Sequence, residues 1–103
     1  MEQLVKDEKG QIIGFNVDPN CQFVKEMTNP KNVILVNEKN MNKAYYNLIV
    51  SIRDIRLYIR GYKPNRNWKI TPVKEYFGFT LRDNNLFVEY LEGIKDFIDN
   101  GTN

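Results

Sequence analysis

Leu48, Ile52, Ile55 and Ile59 recur at steps of four, three and four, in a stretch free of Pro and Gly from 42 to 60. That spacing is the period of an amphipathic helix with one buried stripe. Tyr45 and Tyr62 extend the stripe by a turn at each end, so a long helix is predicted over 42–62. At about 1.5 Å per residue it would be roughly 30 Å long, which makes it the central rod of a small domain. Gly61 followed by Pro64 marks its end. Asn40 or Asn42 can supply the side-chain oxygen that caps its start.

Ahead of this helix the pattern alternates. The short apolar stretches 4–6 and 11–17 flank Asp7-Glu8-Lys9-Gly10, which reads as a β-hairpin, with Ile13, Phe15 and Val17 on one face of its second arm. Asp18-Pro19-Asn20 is a turn by composition. Cys21 and Phe23 alternate, so 21–25 is read as a third short strand, and Val33-Ile34-Leu35-Val36 as a buried fourth. The expected fold class is therefore α+β. It has a small N-terminal antiparallel sheet of three or four short strands packed across the long helix.

Two further helices follow. Thr71-Pro72-Val73 opens a short one that stops at Gly78, with Val73 and Phe77 facing the core and Lys74 and Glu75 outside. Leu86, Phe87, Tyr90, Leu91, Ile94, Phe97 and Ile98 then mark an amphipathic helix over 83–100, capped by Asp83 and followed by Gly101. The chain is expected to form one domain over 1–103, β-rich in 1–37 and helical in 40–103.

Charge changes the picture in one place. The net charge of +2 is close to neutral, so no general affinity for polyanions follows from it. Between 51 and 69, however, Arg53, Arg56, Arg60, Lys63, Arg66 and Lys69 stand against Asp54 alone. Tyr62 and Trp68 lie among these cations. Arg presents a planar fork of donors that matches phosphate oxygens, and aromatic rings offer faces on which bases stack. This stretch is thus the predicted nucleic-acid contact, with DNA and RNA both open. An ordinary solvated helix flank has the same composition. In the loop Asn65-Arg66-Asn67-Trp68, Trp68 has two placements, an exposed contact or a plug under the loop. The last helix carries Asp83, Glu89, Glu92, Asp96 and Asp99 against Lys95, so an acidic end follows a basic middle. The two can pair at the surface or serve separate partners.

Catalytic chemistry finds little support. The chain has no His, and its single Cys21 lacks an imidazole partner, so a buried thiol is expected in place of a nucleophile. Glu89, Glu92 and Asp96 share a helix face but come without a phosphate-binding Gly-rich loop, and no cofactor or metal is expected. The 71–100 region has the outline of a helix-turn-helix, yet its second helix is acidic beyond Arg82-Asp83-Asn84-Asn85, which favours a packed helical hairpin. Residues 1–10 lack the apolar core of a secretory signal and no run reaches the length of a membrane span, so a cytoplasmic location is expected. Fourteen Asn residues match an AT-rich coding bias of the kind found in phages and mobile elements.

These features predict a non-enzymatic binding protein whose partner is nucleic acid. The alternative is a small protein-interaction module or inhibitor that docks through the Trp68 loop or the acidic last helix. A homo-oligomer is a third possibility.

Overall fold

The computed structural model describes residues 3–100. In chain order the elements are β1 (Leu4–Lys6), β2 (Ile12–Phe15), α1 (Gln22–Met27), β3 (Val33–Val36), β4 (Lys39–Asn42), α2 (Lys43–Ile59), α3 (Ile70–Phe77) and α4 (Asn84–Asn100). The α+β class holds. The expected single sheet does not: β1 pairs only with β2 and β3 only with β4, each antiparallel.

The missing strand is α1. Cys21 and Phe23 alternate as strand residues do, but Phe23, Val24 and Met27 also lie on one helical face, and six residues are too few for periodicity to separate the two. Asp18 decides the matter locally: its carbonyl accepts the Cys21 N–H (3.2 Å) and its Oδ1 accepts the Asn20 N–H (2.9 Å). With the chain turned there, Phe23 and Cys21 both point into the core.

The β1–β2 turn closes as its composition suggests, with Gly10 at φ +80° and Asp7 Oδ1 accepting the N–H groups of Lys9 and Gln11. Ile13, expected on the buried face, is exposed. In the β3–β4 turn both central residues, Asn37 and Glu38, have positive φ, the geometry that matches strand twist in a two-residue hairpin. The strand at 33–36 was expected to be buried. Instead Val33 and Leu35 are exposed, Leu35 at 70%, because no helix covers that face of a two-stranded ribbon.

Asn42 caps α2 through Oδ1 to the Ala44 N–H (2.8 Å), and its Nδ2 donates to the carbonyls of Glu26 and Met27, tying the end of α1 to the start of α2. Ala44, Leu48, Ile52 and Ile55 form the buried stripe. The helix ends three residues earlier than predicted, and the stripe with it. Gly61 (φ +96°) donates to Tyr58 O and Tyr62 donates to Leu57 O, the double bond pattern that closes a helix with a left-handed residue. Ile59 and Tyr62 are therefore exposed rather than part of the stripe.

α3 begins one residue before Thr71, which makes no capping bond. Pro72 sits in the first turn, where no helical hydrogen bond is lost. Phe77 is fully buried and Val73 packs beside it, as expected. Lys74 is not on the outside. Its Nζ donates to Leu81 O and Arg82 O and lies over the Phe79 and Phe87 rings, and this burial lowers its pKa.

Gly78 ends α3 at φ +69°, and a Cβ there would lie 2.8 Å from Cys21 Cβ and 3.2 Å from Asp18 Cβ. Both obstacles are attached directly to backbone and cannot swing aside. Gly78→Ala is expected to cost about 2–3 kcal/mol of stability, combining left-handed strain with displacement of the α1 turn. Gly93→Ala meets nothing within 4 Å on a helix and should be neutral or stabilising. Thermal denaturation of the pair checks this, and equal midpoints would contradict the close approach.

Asp83 Oδ1 accepts the N–H groups of Asn85 and Leu86 (2.9 and 3.2 Å), so the predicted cap of α4 is present; Gly101 lies outside the described residues. α4 supplies the centre of the core. The Phe87 ring stacks on Phe79 (4.9 Å, 18°), with Phe77 and Tyr90 alongside, and the Tyr90 hydroxyl donates to Phe77 O (2.7 Å). Phe15 meets Tyr90 edge-on, which docks β2 against α4. Gln3 staples the chain start to the α3–α4 connection: Nε2 donates to Gly78 O (2.7 Å) and Oε1 accepts the Thr80 N–H (2.8 Å). Cys21 is buried as a small apolar side chain.

Candidate functional site

α2 carries Arg53 and Arg56 on its solvent side and Arg60 at its C-cap, beside the buried stripe, because steps of three and four keep them on one face. The Gly61 termination then turns the chain into the 61–69 loop, which presents Lys63, Arg66 and Lys69 to solvent together with Tyr62 (66% exposed). The basic end of α2 is also the negative end of the helix dipole, which favours cations there.

The six cations divide into two sets. Arg53 donates through Nε and Nη2 to Asp54 Oδ1 (3.2 and 3.1 Å), and Arg56 Nη2 pairs with Glu92 Oε1 of α4. Arg60, Lys63, Arg66 and Lys69 make no ion pair among the described residues. The acidic helix thus neutralises part of the basic face and leaves its C-terminal part open.

Trp68 takes the second of its two placements. Its ring lies 5.0 Å from that of Tyr58, half-buried against the core, while an Asn65 turn, with Oδ1 accepting the Asn67 N–H (3.0 Å), carries Arg66 on the outside. Trp68 anchors the loop, and Tyr62 is the aromatic face left exposed beside the cations.

Between α2 and α4 runs a groove of about 700 Å³, lined by Arg53, Arg56, Arg60, Glu92, Lys95 and Asp96 over a floor of Ile49, Ile52 and Leu57. Four cations face two carboxylates there. Lys95 also donates to Asp99 (2.7 Å), which in turn accepts the Tyr45 hydroxyl (2.6 Å). These bonds lower the pKa of Asp99 and raise that of Lys95. Neither the Arg56–Glu92 contact nor the part played by Lys95 has a local sequence signal, since the two helices meet only in the fold.

A second groove, about 500 Å³ and almost wholly apolar, lies between β2, α1 and α4, with Phe15, Val24, Met27 and Ile98 among its walls. Phe97 stands at its lip, 79% exposed, although the helical pattern placed it on the buried stripe. Gly14 and Gly93 help to keep this groove open.

Away from these grooves a polar chain links three helices. Asn47 of α2 donates to the Tyr76 hydroxyl of α3, which donates to Glu26 of α1 (3.3 and 2.8 Å). Hydrogen bonds from Gln22 and Tyr76 hold the Glu26 carboxyl below its ordinary pKa, and burial pushes the Tyr76 hydroxyl up to about 12. Every partner is satisfied, which is the mark of a structural network.

Among the described residues no group of three His, Cys, Asp or Glu side chains is placed to hold a metal ion, and no helix is long and apolar enough to cross a membrane. Glu92, one of the three acids sharing a face of α4, is drawn instead to Arg56. No family model matches the chain, and no curated protein or solved structure is significantly similar to it.

Proposed function

We propose that this is a nucleic-acid-binding protein that contacts the phosphate backbone through the end of α2 and the 61–69 loop. The observation that carries the reading is the set of four exposed cations, Arg60, Lys63, Arg66 and Lys69, none of which has an acidic partner among the described residues. Uncompensated cations clustered in one segment of a nearly neutral chain create a local positive field. Arg53 and Arg56 extend the same face, Tyr62 offers a stacking surface, and Trp68 holds the loop in place. Backbone contact of this kind is independent of base identity, so the protein binds DNA and RNA alike without strong sequence preference.

The test is fluorescence anisotropy of labelled oligonucleotides. The protein should bind both DNA and RNA at low ionic strength, with affinity falling as salt is added. No binding at low salt would overturn the reading.

The apolar groove beside Phe97 favours a second reading, a protein-interaction module. An exposed Phe over a hydrophobic trough is typical of protein contact surfaces. On that reading α4 docks through its apolar lip, not through its acidic face.

A further inference from the structure

The α2–α4 groove continues the open basic segment, because Arg60 belongs to both. It differs from the rest of that segment in shape and in its counter-charges. Arg53, Arg56 and Arg60 follow one another along one wall, Lys95 stands on the other, and the floor of Ile49, Ile52 and Leu57 is aliphatic. The walls confine a volume of about 700 Å³ along the furrow, which suits one strand laid between the helices better than a duplex. Cations on the walls and an apolar floor suit the two halves of a nucleotide.

We infer that this groove is the track for a single strand of nucleic acid, whose phosphate replaces Glu92 as the partner of Arg56. The inference rests on the nucleic-acid reading of the basic segment and names its preferred substrate as single-stranded. In the free protein Glu92 and Asp96 act as internal counterions. Glu92 lies against Arg56 at the surface, with 55% of the Arg56 side chain and 38% of the Glu92 side chain exposed. A surface pair of this kind is weak enough to exchange for a phosphate. The strand then runs from Arg53 along α2 to Arg60 and out over Lys63. Duplex binds only at the open end, where no wall confines it.

The test compares two double variants of equal net charge. Glu92→Gln/Asp96→Gln removes the groove carboxylates. Glu8→Gln/Glu38→Gln removes two carboxylates from the β1–β2 and β3–β4 turns. Each is titrated with a labelled single strand and with a duplex of the same length at about 0.1 M salt, after a thermal melt confirms folding. Freeing one cation for phosphate is worth about fivefold at that salt.

The groove variant should therefore bind single strand about fivefold more tightly than wild type, with duplex affinity changed less than twofold. The turn variant should change neither. Arg56→Gln should weaken single-strand binding about fivefold and duplex binding by less. If the groove and turn variants strengthen binding equally, or duplex gains as much as single strand, the track is wrong while the open basic end still binds. If wild type binds no oligonucleotide at low salt, the inference falls together with the reading on which it rests.

Discussion

Phe87→Ala is expected to lower the unfolding free energy by about 3–5 kcal/mol, a large part of the roughly 5–15 kcal/mol that holds a domain of this size together. Phe87 has no solvent exposure and touches Phe77, Phe79 and Tyr90, so truncation leaves a cavity among rings that cannot all close on it. The loss also reaches the Lys74 ammonium, which lies 5.9 Å from the centre of the Phe87 ring while bonding two backbone carbonyls. Phe97→Ala provides the internal control on the same helix. Phe97 is 79% exposed, and its removal should cost within about 0.5 kcal/mol. Urea denaturation of both variants checks the contrast. A loss at Phe87 of less than about 1.5 kcal/mol, or equal losses at both sites, would contradict the placement of the core.

Reversal of the four open cations, Arg60→Glu/Lys63→Glu/Arg66→Glu/Lys69→Glu, is expected to abolish nucleic-acid binding. Each phosphate contact contributes about 0.7–0.9 to the slope of log affinity against log salt, which makes it worth about five- to eightfold at 0.1 M relative to 1 M. Four contacts multiply to about 600- to 4,000-fold, and repulsion by the new carboxylates adds to the loss. The fold should survive, because all four side chains are exposed and none is in an ion pair among the described residues. Placing Glu at the end of α2 opposes the helix dipole and costs about 0.3–1 kcal/mol, which a thermal melt will register as a small shift. Retained affinity in a folded variant would assign the positive charge to solvation alone.

What could be read from the sequence was what neighbouring residues settle among themselves. Asn42 and Asp83 cap helices through bonds to the next two or three residues, and Gly61 and Gly78 end them by adopting positive φ. These signals span one turn and hold whatever the rest of the chain does. α1 was missed because Cys21 and Phe23 alternate as in a strand while Phe23, Val24 and Met27 share a helical face, and the choice fell to the turn at Asp18. The division of the sheet was invisible for a different reason: each hairpin satisfies its own strands, and only packing decides whether two hairpins join.

The candidate site was legible in composition and not in geometry. The clustering of Arg53, Arg56, Arg60, Lys63, Arg66 and Lys69 is plain along the chain. Arg53 pairs with its neighbour Asp54, but the neutralisation of Arg56 depends on Glu92, 36 residues away, and on how α4 packs. Trp68 could be exposed or tucked until Tyr58 was placed beneath it. Val33, Leu35 and Phe97 carry patterns that predict burial, and each lies where the opposing layer ends. A hydrophobic pattern specifies a face, but the amount of material covering that face is a property of the whole fold.

The measurement that bears most directly on the account is the salt dependence of oligonucleotide binding by the wild-type protein. With Arg60, Lys63, Arg66 and Lys69 engaged, the slope of log affinity against log salt should be at least as steep as about −2.8 for a single strand and near −3.6 for a duplex. Absence of binding at low salt, or a slope near zero, would contradict the claim that these four cations meet phosphate.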